Sequence, residues 1–454
     1  MKHYEELIFA LQDIDPITGV SYFNGCSNTY YMEEEGELGY PKVMAVDLWK
    51  HWYKNDKFVF NWLINTPFHD CVTYKKISDI QENERYFYMI NFFNVEFVAS
   101  NKNIGFKCIP ARVLEDVREN KCHIVLHCST EAYSGCDMNI HRDDLDIIQD
   151  WIDQANIPSS NVVYINGNLI SNSIKSSKVK YQIEGLCVMD GWIQPTKIID
   201  LSNYNVIDFK PNNTSCLYLN LTREPRPHRV YLLSSLIAND LFDHGKNSFN
   251  MLYAEQHNGN YASEVMHDIN NNFNPTEALI NGAKYLDSRG KQFIDIDNTD
   301  METAVKTSNK AMYEQTLLSI ITETIVVANT VLISEKTWKS VAVGHPFMIL
   351  GSTGTLKELK KMGYKTFDQW IDESYDDAIT IVEKVEIICK NIQKLKDMSL
   401  DELIKIRNEM KDICIFNQKH FVSELNRKYY INNTFLKHKP VLDILQNLHK
   451  RSTE

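Results

Sequence analysis

The sequence predicts an α/β protein built as two domains, each a parallel sheet flanked by helices, facing one another across a cleft. Three observations predict it. The chain has 454 residues, more than one ordinary core organises. Short apolar runs bounded by polar residues alternate with segments of helical periodicity, the pattern of parallel strands and crossover helices. That pattern starts twice, once near residue 123 and again near residue 216.

In the first half, residues 1 to about 100 are aromatic-rich and irregular, with a strand candidate in RYFYMINFFNVEFVAS. HIVLHCS (123–129) reads as a buried strand. RDDLDIIQDWIDQANI (142–157) has apolar residues at helical spacing, and NVVYING (161–167) is the next strand. Trp192 to Ile199 offers another strand.

In the second half, CLYLNLT (216–222) is a strand and REPRPHR a basic turn. VYLLSSLIANDLFDHG (230–245) reads as an amphipathic helix stopped by Gly245. Residues 250–290 are polar and Asn-rich, read as helical pieces with loops, and FIDI (293–296) as a short strand. LSIITE then forms a strand closed by Glu323. Ser334 caps a helix whose buried face is Trp338, Val341 and Ala342, Gly344 ends it, Pro346 forbids continuation, and PFMILG is the next strand. GTLKELKKMG is a short helix, and Asp377 to about Tyr430 a long helical region. The division is 1–205 and 206–430, two Rossmann-like domains, with 431–454 a terminal helix that packs back on the first domain.

Composition narrows the function. Apolar content of 43% and charged content of 24% belong to a globular protein. A net charge of −12 argues against coating nucleic acid through bulk positive charge. Ten cysteines without a CxxC pair fit a reducing compartment, and the opening MKHYEELIFALQDID lacks a leader's apolar region, so a cytoplasmic location is expected. The longest apolar run, Leu317 to Ile333, is broken by Glu323 and Asn329, so no membrane span is expected.

Several residues have the chemistry of a site. Ligands of parallel α/β sheets bind beyond the carboxyl ends of the strands. Glu335 and Lys336, in the first turn after Ser334, suit a ribose and a phosphate. The bland alternative is a capped surface helix. Glu323, at a strand's end, is placed for a ligand hydroxyl or is a solvated turn acid. Arg223, Arg226, His228 and Arg229 crowd a strand-to-helix turn. Guanidiniums suit a diphosphate, and cations at a helix start call for an anion between them. Pairing with nearby acids such as Glu224 is the alternative. Glu131, just past HIVLHCS, could serve as general base on an acceptor hydroxyl or be a loop acid. Asp295 and Asp297 form a weak candidate metal pair, and Gly351-Ser-Thr-Gly354 a weak phosphate turn.

Thr322-Glu323-Thr324, Ile333-Ser334-Glu335-Lys336 and His345-Pro346-Phe347-Met348-Ile349-Leu350-Gly351 follow one another in the order of a known donor site. Together they resemble the donor-binding core of the α1,3-fucosyltransferase family and related GT-B glycosyltransferases. GTLKELKKMGYKTFDQWIDESYDD and LNLTREPRPHR look like glycosyltransferase-like proteins of large phages and marine microbes. The resemblance implies a nucleotide-sugar donor and an inverting transfer that needs no metal or other cofactor. It gives Glu335 to the donor ribose, Lys336 and Arg223 to the diphosphate, and Glu323 to the donor sugar or ribose. Thr324 stands where the family often has Asn, and the first domain carries no family motif.

The expected function is therefore glycosyl transfer to a glycan or small hydroxyl acceptor, with the donor on the second domain. Two alternatives stand beside it. One is a phage-type transferase acting on modified DNA bases, for which Lys175 to Lys180 would line a groove. The other is a non-catalytic nucleotide-binding or sensing module.

Overall fold

The computed structural model describes residues 7–11, 72–91, 109–128, 144–166, 168–169, 181–183, 206–211, 216–222, 225–251, 273–292, 294, 310–326, 330–429, 446–447 and 449–450. The chain divides into two compact units. One comprises Met1–Gly135, Ile140–Leu186 and Asn426–Glu454, the other Cys136–Asn139 and Cys187–Leu425.

The first unit holds a parallel sheet of β1 (Leu7–Leu11), β2 (Val72–Lys76), β3 (Tyr86–Asn91), β4 (Cys122–Cys128), β5 (Val162–Asn166) and β6 (Tyr181–Ile183). Their order across the sheet is β2-β1-β3-β4-β5-β6, with Ile8 opposite Tyr86, Phe87 opposite His123 and Leu126 opposite Tyr164. Helices α1 (Ala111–Arg118) and α2 (Asp144–Ala155) make the crossovers β3-to-β4 and β4-to-β5. Parallel pairing suits strands buried on both faces, as β4 is at Ile124, Val125 and Leu126. Val113 and Val117 of α1 and Ile148, Trp151 and Ile152 of α2 close one core with Tyr86, Tyr88, Ile124 and Val162. Burial holds the His123 imidazole down to about 4, helped by the charges of His449 and Arg85. The strand–helix–strand unit read at 123–167 is present. Strands β1 and β2 had no reading, because LIFAL and VTYKK are five-residue runs inside a stretch read as irregular.

The second unit holds β7 (Tyr218–Leu221), β8 (Gly245–Asn250), β9 (Lys291–Gln292), β10 (Leu318–Thr322) and β11 (Phe347–Leu350). Their order is β11-β10-β7-β8-β9, parallel except for the edge pair β8–β9. The chain thus moves outward from β7 to β9, then crosses to β10 and β11 on the other side. Strand order reverses between β7 and β10, the point of such a sheet where a crevice opens at the carboxyl ends.

One reading in this unit needs correction. The helix expected at 230–245 is α3 (Pro227–Ala238), followed by a left-handed Asp240 at φ 54° and a 3₁₀ turn at Phe242–His244. Gly245 does not stop a helix but opens β8. A Cβ there would lie 2.3 Å from Cζ of Tyr218 on the neighbouring strand, so the ring takes the side chain's place. A two-residue β9 precedes the strand expected at 293–296, which, apart from Ile294, lies outside the described residues, as does the strand read at 192–199.

Helix α4 (Glu277–Arg289) packs on α3, with Gly282 against the backbone of Ser234. A five-residue α5 (Lys310–Glu314) precedes β10. Helix α6 (Glu335–Val343) lies between β10 and β11 as expected, capped by Ser334 and ended by Gly344 at φ 69°. Its Trp338 is fully buried and stacks on Phe421 at 5.7 Å. After α7 (Thr355–Lys361), the long helical stretch resolves into α8 (Ile381–Lys396), α9 (Leu400–Glu409) and α10 (Lys411–Tyr429). Reciprocal capping boxes, Thr380 with Glu383 and Ser399 with Glu402, set the starts of α8 and α9. Among the described residues no helix is long and apolar enough to cross a membrane.

Candidate anion-binding site

The carboxyl ends of β7 and β10 lie side by side, with Leu219 opposite Ser319. Helix α3 starts after β7, and α6 after β10. Each start carries a partial positive charge. A buried polar chain ties the strands beneath them. Asn220 donates to the Ile320 carbonyl at 2.8 Å, and the Thr222 hydroxyl donates to Asn220 Oδ1 at 3.0 Å. That proton is then committed, so the Thr322 hydroxyl, 3.0 Å away, donates to Thr222.

Glu323 is fully buried. Both its carboxylate oxygens accept from the Ser334 amide at 3.1 Å, and one accepts from the Thr337 hydroxyl at 2.6 Å. Full burial excludes the solvated turn acid that the sequence left as one alternative. Its carboxylate serves the start of α6, where the amides and dipole favour a negative charge. Ser334 adds its own cap, accepting from the Lys336 amide at 3.3 Å.

The main chain of the same segment collects the basic groups. The Glu323 carbonyl accepts from His228 Nε2 at 2.9 Å and from Arg229 Nη2 at 3.3 Å. The Thr324 carbonyl accepts from Arg226 Nη1 at 2.7 Å. Lys336 Nζ donates to the Thr324 hydroxyl at 3.1 Å and to the Ser334 hydroxyl at 3.3 Å. A carbonyl oxygen can only accept, so His228 carries its proton on Nε2 and Nδ1 keeps the lone pair. Burial pushes the imidazole well below its ordinary pKa, the Arg229 charge pushes it further, and Arg226 and Lys336 act in the same direction. Three cations, a neutral imidazole and the buried Glu323 carboxylate therefore crowd two helix starts.

Of the residues singled out in the sequence, the structure brings together Arg226, His228, Glu323, Ser334 and Lys336, with Glu335 as the first residue of α6. Arg223, Glu131, Asp295, Asp297 and Lys175 to Lys180 lie outside the described residues. The Gly351–Gly354 turn is corrected as a phosphate site. The Asp376 carboxylate already accepts from the Leu356 and Lys357 amides at 2.9 and 3.2 Å, filling the start of α7. Among the described residues no cluster of three or more His, Cys, Asp or Glu is arranged to hold a metal. Sequence reasoning missed Asn220, Thr222 and Thr337 as parts of the site. The available signal was polar residues inside or just after apolar strands, which usually means a buried partner.

No protein-family model matches the chain, and no curated protein matches it.

Proposed function

We propose that the protein is a nucleotide-sugar-dependent glycosyltransferase of the GT-B type, with two Rossmann-like domains and the donor diphosphate held at the starts of α3 and α6. One observation carries the reading. Arg226, Arg229 and Lys336 gather with two helix N-termini where strand order reverses between β7 and β10. A nucleoside diphosphate supplies the anion that such a cluster favours, and the charge it develops on leaving is the main electrostatic demand of the transfer.

In this reading Lys336 and Arg226 neutralise the leaving diphosphate, joined by Arg223 on the same β7–α3 connection. Glu335 takes the ribose hydroxyls. Glu131, beyond β4, deprotonates the acceptor hydroxyl, whose oxygen attacks the sugar carbon in line and inverts it. Positive charge fixed on the protein does what a bridging metal otherwise does, so a chelator leaves turnover intact. The acceptor is a glycan or small hydroxyl compound bound by the first domain.

The test is calorimetric titration with a panel of nucleoside diphosphates, followed by donor hydrolysis and transfer assays with the sugar-linked form of the best binder. Expected are one preferred base and slow donor hydrolysis that a chelator does not stop. Binding without hydrolysis or transfer would make the protein a nucleotide-binding module. Salt-sensitive retention on duplex DNA would move the acceptor to DNA, and strict metal dependence would overturn the mechanism.

A further inference from the structure

The two residues after β10 hold every basic side chain described at the site. His228 and Arg229 rest on the Glu323 carbonyl, Arg226 on the Thr324 carbonyl, and Lys336 on the Thr324 hydroxyl. Two of these cations come from opposite sides of the strand reversal. Arg226 is the cap residue of α3, and Lys336 lies in the first turn of α6. Thr324 is where they meet. Its carbonyl is common to any residue, but its hydroxyl is a property of the side chain.

A lysine ammonium is a point charge on a stem with four rotatable bonds, and fixing such a stem costs rotamer entropy. A site that orders the ammonium before its ligand arrives does not charge that cost to binding. We infer that Thr324 is a positioning residue for the diphosphate, its hydroxyl holding the Lys336 ammonium beside the Arg226 guanidinium so that both cations meet one anion. The inference rests on the diphosphate reading above. The Ser334 hydroxyl, 3.3 Å from Nζ, is the second anchor, but it also caps the helix through the Lys336 amide. Thr324 is half-buried and ends no helix, so its hydroxyl can be removed with little change of shape.

The experiment is a mutant cycle read by calorimetry with inorganic pyrophosphate on the full chain. Thr324→Val is expected to bind about tenfold more weakly than wild type, the effect of one lost hydrogen bond to a charged group, and Thr324→Ser to stay within about twofold. In a Lys336→Met background the valine substitution should add no further loss, because the group it positions is gone. A purely structural threonine would give the same loss in both backgrounds, and that result overturns the inference. So does a valine variant that binds as wild type, or a serine variant that loses the tenfold, the latter remaining decisive should the valine variant fail to fold. Wild-type protein that binds no pyrophosphate overturns the diphosphate reading itself, whereas wild-type binding with an indifferent Thr324 overturns only the positioning role.

Discussion

Two buried histidines stand at opposite ends of the second sheet, and nearly everything about them matches except their surroundings. His345 precedes β11 at the amino end, and His228 opens α3 at the carboxyl end. Both are buried, both give Nε2–H to a main-chain carbonyl at 2.9 Å, and both are held well below the ordinary imidazole range by burial first and a neighbouring arginine second. His345 completes its pattern with the Ser319 hydroxyl on Nδ1 at 2.9 Å and the edge of Tyr313 at 5.2 Å. His228 is ringed by Arg226, Arg229 and Lys336. A serine–histidine pair with a depressed pKa looks like chemistry, yet it lies at the end of a parallel sheet where ligands do not bind. A perturbed histidine is therefore not the sign of a site. Its position relative to the strand reversal, and the charge gathered around it, are.

Substitutions at the two ends should separate function from stability. The largest effect is expected at Lys336. Lys336→Ala should reduce transfer by at least about a hundredfold, as loss of transition-state charge stabilisation does. Its melting temperature should stay near that of wild type, because Ser334 and Glu323 still hold the helix start. Wild-type turnover by this variant would remove the assignment of the carboxyl end. At the amino end Gly245→Ala drives a methyl into the Tyr218 ring, at a stability cost of about 2–3 kcal/mol in urea unfolding. Ser319→Ala leaves His345 Nδ1 without its donor and should cost about 1–2 kcal/mol. Neither amino-end variant should change pyrophosphate affinity in its folded fraction. A tenfold change in either would dissolve the contrast between the ends.

The same contrast shows what the sequence discloses. The start and stop of α6 were legible because Ser334, Gly344 and Pro346 act on their immediate neighbours. Strand β8 was not. GKNSFN has the composition of a loop, and its burial comes mostly from partners distant in sequence. The Asn247 amide reaches the Phe242 carbonyl and the Tyr218 hydroxyl, and Ser248 accepts from the Ile294 amide. Glu323 falls between these cases. Its place at a strand's end was readable, but the direction of its carboxylate was not, because the groups that claim it, Ser334 and Thr337, lie 11 and 14 residues further along the chain. Thr324 read only as a departure from a family pattern. Its hydroxyl gained meaning once folding set it beside Lys336.

The smallest expected effect is the most discriminating, because it asks both histidines the same question. The unfolded chain binds a proton on each imidazole near pH 6.5, whereas the folded chain keeps both neutral well below that. The unfolded state then holds more protons, so stability is full above about pH 6.5 and is lost as pH falls below it, at about 1.4 kcal/mol per pH unit for each such histidine. His228→Gln, which preserves a donor for the Glu323 carbonyl, should take about one proton out of the slope measured between pH 6.5 and 5, and His345→Gln likewise. Saturating pyrophosphate should separate them. Negative charge placed among Arg226, Arg229 and Lys336 relieves the field that depresses His228, raises its pKa and shallows the wild-type slope. His345, whose neighbouring charge is Arg407, gains nothing. The ligand should therefore flatten the slope in wild type and in His345→Gln but not in His228→Gln. An equal flattening in all three would put the bound anion somewhere other than the carboxyl end of β7 and β10.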